Sequence, residues 1–297
     1  MTGSRKARPA RCLRNFLLAK GCRMNPAPKI LAEFGVSAPE LVEETGLAVL
    51  WKVCRADGSP AVLKIYGSKG MRNESEGFRF LAAAGGPAAK VYKVTASAAL
   101  IEWLSGPPLG NLSRAGRDAE AAAELVQVAN GLHASAIPEA GYPRLEDWFT
   151  ALFSLTVSAG ASEDARTNIF RSQALARRLL ADPQDVRALH GDLHHSNIRL
   201  GDRGYCAFDA KGVLGERAYE LANAFRHPRG APDLVREPER IRFLATLWSQ
   251  EFQVGRRRLL QWAAAKCALS IAWRNGGRLG NDPELHLLGA LLNAAEG

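Results

Sequence analysis

Between Leu189 and Gly215 a sequence that reads as helix on both sides stops doing so, and that interruption most constrains the fold. Beyond about residue 117 apolar residues recur at helical spacing, as in Leu125, Val128, Ala129 and Leu132, which make one face of a helix. The same pattern predicts helices over 145–158, 163–181, 239–253, 255–273 and 284–294. The island among them reads His190-Gly191-Asp192-Leu193-His194-His195-Ser196-Asn197-Ile198, followed by a turn at Gly201-Asp202-Arg203-Gly204. A short apolar run, Tyr205-Cys206-Ala207-Phe208, then delivers Asp209.

The first half has a different texture. Leu47 to Val53 is apolar and partly alternating, as a strand requires, and Ala61 to Tyr66 repeats the pattern. Asp57-Gly58 between them marks a tight turn, so the two form a β-hairpin. Residues 72–84 read as a helix ending at Gly85-Gly86, and Ala98 to Leu104 as a strand that stops at Ser105-Gly106-Pro107-Pro108. The expected class is therefore α+β in two parts: an antiparallel, β-rich lobe over 24–105 and a larger, mainly helical lobe over 106–297. No internal repeat is visible.

Charge and cysteines narrow the function. The 297 residues carry a formal charge of +9, but residues 1–23 hold seven basic residues and no acid. The remainder has 32 basic residues against 30 acidic, so the basic character belongs to a tail and a nucleic-acid partner is not expected of the folded body. That tail reads as a disordered basic arm or as residues upstream of a start at Met24. Phe16-Leu17-Leu18-Ala19 is too short for a secretory core, and no apolar run reaches bilayer length, so no membrane partner is expected. Five scattered cysteines without a C-x-x-C pair exclude a disulfide scaffold and fit a reducing cytoplasm.

The island has the parts needed for phosphoryl transfer from a nucleotide. That chemistry wants a carboxylate to orient the acceptor hydroxyl and take its proton, and an amide oxygen plus a second carboxylate to hold magnesium on the phosphates. H-x-D-x-x-x-x-N supplies Asp192 as the base and Asn197 as one metal ligand; Asp209, carried on the next strand, supplies the other. Upstream, Lys64 in Val-Leu-Lys-Ile is a strand lysine suited to nucleotide phosphates, and either Glu74 or Glu76 on the following helix could pair with it. Glu102, Trp103 and Leu104 fall at the junction of the two parts, where main-chain groups would meet an adenine ring. Alone, each piece has a plain structural reading; the order strand Lys, helix Glu, hinge, helices, HxDxxxxN, strand, Asp gives the pattern its weight. Zinc on His190, His194 and His195 is not expected, because Gly191 and Asp192 favour a loop and the Glu of H-E-x-x-H is missing.

Leu189 to Asn197, with Ala207-Phe208-Asp209-Ala210-Lys211-Gly212-Val213-Leu214-Gly215-Glu216-Arg217 and on to Asn223, resembles the aminoglycoside/hydroxyurea antibiotic resistance kinases, the branch that includes streptomycin 6-phosphotransferases. The resemblance covers roughly 40–295, is specific over 189–223, and extends to a late helix through Trp262 and Trp273. It implies a protein-kinase-like fold, with a catalytic loop at 189–198 and a metal-binding segment at 205–215. It also implies ATP and Mg2+ as cofactors and the hydroxyl of an aminoglycoside such as streptomycin as acceptor. By matching positions Asp192 is the base, Asn197 and Asp209 hold the metal, Lys64 meets phosphate, and Glu74 is preferred over Glu76 as its partner. His194, His195, Lys211 and Glu216 are candidates for substrate or phosphate contacts. Lys211 has the alternative of an ion pair with Glu216 or Glu220, and Glu220 is expected to tie helix to loop. The turn at Glu43-Glu44-Thr45-Gly46-Leu47-Ala48 lacks a G-x-G-x-x-G, which leaves ATP and GTP undistinguished. A housekeeping sugar or amino-alcohol acceptor is the alternative within the same chemistry, and a non-enzymatic nucleic-acid binder using the basic arm is the remote one. Oligomeric state is not legible.

Overall fold

A computed structural model describes residues 25–67, 70–71 and 74–297. The basic tail expected at 1–23 lies outside them. The chain begins with α1 (Pro28–Phe34), β1 (Val36–Glu44), β2 (Ala48–Arg55), β3 (Pro60–Tyr66), α2 (Glu74–Ala84), β4 (Val91–Val94) and β5 (Ala98–Glu102). The strands make one antiparallel sheet in the order β1-β2-β3-β5-β4. Strand period does the sorting here. On one face Trp51, Val53, Ala61 and Leu63 pack beneath Phe34 of α1; on the other, Tyr66 and partly buried Val62 pack with Phe78 of α2. Lys64 alternates with Leu63 and so faces α2. The helix ends where glycines allow it: Gly85 and Gly86 have φ of 60° and 49°, a left-handed exit that side chains resist.

The second part contains α3 (Gly110–Arg114), α4 (Asp118–Leu132), α5 (Leu145–Phe153), β6 (Thr156–Val157), α6 (Glu163–Ala181), β7 (Val186–Leu189), β8 (Ile198–Gly201), β9 (Gly204–Ala207) and β10 (Val213–Glu216). Two 3-10 turns follow (Arg217–Tyr219 and Ala222–Arg226), then α7 (Pro232–Arg236), α8 (Pro238–Glu251), α9 (Arg256–Asn275), β11 (Arg278–Leu279) and α10 (Leu285–Glu296). α9 is the axis of this lobe: thirteen of its twenty residues are buried, so it has no polar face to give to solvent and is packed on all sides. Trp262, Trp248, Phe149 and Phe225 fill the core around it. The expected helix over 145–158 stops at Phe153, because Thr156 and Val157 leave it to pair with Arg278 and Leu279.

Within the non-helical island β8 and β9 form a hairpin and β10 pairs antiparallel with β7. The two lobes are joined through it. Ala89 N–H donates to Ala207 O and Ala207 N–H to Pro87 O, at 2.8 and 2.7 Å. Arg203, in the β8–β9 turn, donates to Gly86 O, Ala88 O and the Glu102 carboxylate. Among the described residues no helix is long and apolar enough to cross a membrane.

Candidate active site

The loop 189–198 is held from beneath by one carboxylate. Glu220, fully buried, accepts the main-chain N–H groups of His190 and Gly191 at 2.9 and 3.1 Å and lies 2.9 Å from His133 Nε2. Burial would raise its pKa, but the hydrogen bond and charge of His133, with His190, hold it below the usual value. This is the helix-to-loop tie expected of Glu220. Gly191 is required at the loop's apex: its φ is 79°, and a Cβ there would stand 2.8 Å from Val213 and 3.1 Å from the Trp148 ring.

His190 sets the next turn. Its Nδ1 accepts Asp192 N–H at 3.3 Å, so its other ring nitrogen carries the proton and donates to Phe208 O at 3.0 Å. Burial keeps the ring neutral by lowering its pKa. One imidazole thereby spans the loop bearing Asp192 and the segment bearing Asp209. Lys211 N–H donates to His190 O at 2.7 Å, closing the same bracket. Asp209 itself has φ of 59°, a left-handed conformation costing a non-glycine residue about 1–3 kcal/mol, which the bracket sustains.

Asp192 is aimed by two amides. Its Oδ1 accepts Asn223 Nδ2 at 2.8 Å, and Asn197 Nδ2 donates to its main-chain oxygen at 3.0 Å with Oδ2 at 3.4 Å. Asn223 has no counterpart among the expected site residues; only its place at the end of the 189–223 segment could have suggested it. His194 accepts Ser196 N–H on Nδ1, which leaves the proton on Nε2, 3.8 Å from Asp192 Oδ2. Its ring stacks on His227 at 3.8 Å.

From the sheet side, Lys64 Nζ meets Glu74 Oε2 at 2.5 Å and Asp209 Oδ1 at 3.5 Å, across 145 residues of sequence. Tyr66 Oη shares the Glu74 oxygen at 2.5 Å, and burial with this carboxylate pushes the phenol's pKa up. Glu76 bonds Ser75 instead. Lys211 Nζ lies 3.2 Å from Asp209 Oδ2, so its partner is neither Glu216 nor Glu220. Burial alone would depress the Lys211 ammonium, but Asp209, Asp192 and Glu74 raise it overall. Asp209 thus lies between two ammonium groups.

Contact between α2 and the segment 209–212 depends on two glycines. A Cβ on Gly77 would stand 1.8 Å from Ala210 O, and one on Gly212 would stand 2.3 Å from Glu76 O. The backbones therefore touch directly, fixing Glu74 relative to Asp209.

Two expected positions lie elsewhere. Glu216 is buried on β10, where Arg258 binds it at 2.6 Å and Gln184 N–H donates to it, so its carboxylate is spent on joining β10 to α9. His195 points into the protein, fully buried, with both ring nitrogens unpartnered and its pKa held down to about 3 by burial, so it contacts no substrate in this arrangement. The Glu102 carboxylate binds Arg203 and Lys90 N–H, and its own N–H donates to Lys90 O; its side chain is a clamp between lobes. Trp103 and Leu104 are placed at the hinge, with Lys52 over the Trp103 ring and Leu104 packed on Ala89 and Cys206. A groove of about 1060 Å³ between α6, α8 and α10 shares no residue with this site.

Asn197 and Asp209 fit a magnesium ion. The Asn197 amide nitrogen is committed to Asp192, which leaves its oxygen as the donor, and the Asp209 side chain is 35% exposed on the cleft side. One neutral and one anionic hard oxygen, with room for phosphate and water, is the set such an ion takes.

A lysine–glutamate pair on the sheet lobe, a base on a helical-lobe loop and an aspartate between them define a protein-kinase-like phosphotransferase. The family model described as aminoglycoside/hydroxyurea antibiotic resistance kinase matches residues 34–277, and the chain belongs to that family. A streptomycin 3''-kinase from Klebsiella pneumoniae is 36% identical over 230 residues, 74% of this chain and 81% of the relative. Solved structures share the fold. A choline/ethanolamine kinase family protein from Mesorhizobium loti superposes with a TM-score of 0.59 at 16% identity, covering 89% of each chain. A ternary complex of the aminoglycoside phosphotransferase APH(4)-Ia with ADP and hygromycin B gives 0.57 at 13% identity, covering 90% of this chain and 97% of that one.

Proposed function

We propose that this protein transfers the γ-phosphoryl group of ATP, with Mg2+, to a hydroxyl of an aminoglycoside of the streptomycin type. The observation that carries the reading is the meeting of Lys64, Glu74, Asp209 and Lys211 across the lobes, one hydrogen-bonded bracket away from Asp192. Asn197 and Asp209 would hold magnesium, which when bound supplies positive charge at the phosphate oxygens. Lys64, held by Glu74, presents its ammonium to the phosphates. Asp192 binds the acceptor hydroxyl through Oδ2, because Oδ1 is held by Asn223. As the hydroxyl oxygen bonds to the γ-phosphorus, its proton passes to Asp192 and the bond from phosphorus to the β-bridging oxygen breaks, its electron pair leaving with ADP. Family membership and the streptomycin 3''-kinase relative support the acceptor class.

The test is direct. The purified chain is incubated with Mg-ATP and a panel of aminoglycosides, sugars and amino alcohols, and products are read by mass and phosphorus NMR. Expected is one phosphoryl group on streptomycin and ADP in equal amount. Phosphorylation of a sugar or amino alcohol with none of an aminoglycoside would overturn the acceptor assignment.

A further inference from the structure

Helix α9 turns one charge inward. Lys266 is 2% exposed, and its ammonium lies 4.6 Å from the centroid of the Trp273 ring and 5.9 Å from those of Trp148 and Tyr219. Among the described residues it makes neither an ion pair nor a hydrogen bond. Aromatic faces attract a cation but accept no full hydrogen bond, so an enclosed ammonium is incompletely satisfied by them. Burial pushes its pKa down to about 8, with Arg226 and Lys211 acting the same way and Asp192 and Glu284 opposing.

This group stands beside the chemistry. Asp192 is the charge that most favours its ammonium form, and the Trp148 ring is the wall that a side chain at Gly191 would strike. Tyr219 Oη is also buried without a hydrogen-bond partner. Around the Asp192 loop, then, are an ammonium whose only partners are aromatic faces and two indoles, of which Trp273 is 46% exposed. The acids of this region are already taken. Arg226 binds Glu284 at 2.8 Å, and Arg274 binds both Glu284 and Asp282 at 2.8 Å. A cationic substituent placed here would meet Lys266 and no uncommitted carboxylate.

We propose that Trp148, Trp273 and Lys266 form the acceptor subsite, and that it receives an uncharged, hydroxyl-bearing face of the acceptor ring. The ring's C–H face lies on indole, a ring oxygen accepts from Lys266, and the amino or guanidino groups point away from the box. This assignment rests on the kinase reading.

The experiment uses the full chain and Lys266→Met, which keeps an unbranched side chain one atom shorter and removes its charge. Two aminoglycosides are compared that differ in having a hydroxyl or an amino group beside the phosphorylated carbon. Expected in Lys266→Met is an acceptor KM raised at least about tenfold, a preference for the hydroxyl analogue reduced by about tenfold, and a nucleotide KM unchanged. An unchanged acceptor KM and preference, or a nucleotide KM rising in parallel, overturns the subsite. Should Lys266→Met fail to fold by circular dichroism, Trp273→Ala at the exposed ring serves: acceptor KM rises about tenfold at constant nucleotide KM if the subsite is real, and stays unchanged if it is not. Wild-type protein that phosphorylates no acceptor removes the kinase reading and the subsite together, whereas wild-type turnover with unaltered variants removes the subsite alone.

Discussion

Replacing Gly77 by alanine sets helix propensity against packing. In an exposed helix interior the change stabilises by roughly 1 kcal/mol, because glycine loses more backbone freedom on folding. In α2 the added Cβ would fall 1.8 Å from Ala210 O and 2.6 Å from Ala210 C. Both are main-chain atoms, bracketed to His190 through Lys211 N–H, so no flexible side chain can yield. Restoring ordinary contact needs α2 and the 210–212 segment to separate by roughly 1.5 Å, and overpacking of this kind costs about 1–3 kcal/mol. The net expectation for Gly77→Ala is a loss of about 0–2 kcal/mol. Activity suffers more, because Glu74 lies on the same first turn and positions Lys64; a displacement near 1 Å at a reacting centre costs about 100-fold. Thermal melting and kcat/KM for nucleotide check both parts. A Gly77→Ala protein that melts higher than wild type with full activity would refute the direct contact between α2 and the metal-binding segment.

Other changes read other joints. Glu220→Gln should destabilise the fold by about 2–3 kcal/mol at pH 7, by giving two buried N–H groups a poorer acceptor, and urea unfolding would measure it. Because the folded Glu220 carboxylate titrates below its ordinary value, its contribution is complete above the unfolded pKa and is lost as pH falls through the folded one; the acid limb of the stability curve should therefore flatten in Glu220→Gln. Arg203→Ala cuts the clamp to Glu102, Gly86 and Ala88. At this partly exposed site the expected stability loss is about 1 kcal/mol, with nucleotide KM raised several-fold by isothermal titration or steady-state assay.

The elements read most easily were those whose pattern is local. The β2–β3 hairpin follows from alternation and Asp57-Gly58, and α2 from its apolar face and terminal glycines. β1 has no such signal: only Val36 of its nine residues is buried, Pro39 interrupts it, and pairing with β2 rather than burial makes it a strand. β4 and β6 are four and two residues long and exist only through their partners. At the site, Lys64, Asp192, Asn197 and Asp209 stood out because the chemistry demands those side chains in that order, whereas Glu74 was preferred to Glu76 only through the family resemblance. What stayed hidden came from partners distant in sequence. Arg203 reaches Glu102 over 101 residues and Arg258 reaches Glu216 over 42, and nothing local to either glutamate announces an arginine. Asn223, Gly77 and the aromatic box around Lys266 are likewise assembled by packing between elements.

The central claim is that one cleft separates nucleotide binding, at Lys64 and Asp209, from proton removal, at Asp192. Parallel titration of Mg-ATP and measurement of turnover in Asp192→Asn and Asp209→Ala tests it most directly. Predicted is Asp192→Asn that binds Mg-ATP with wild-type affinity but turns over about 100- to 10,000-fold more slowly, and Asp209→Ala that loses magnesium-dependent nucleotide binding. Wild-type turnover in either variant would contradict the account.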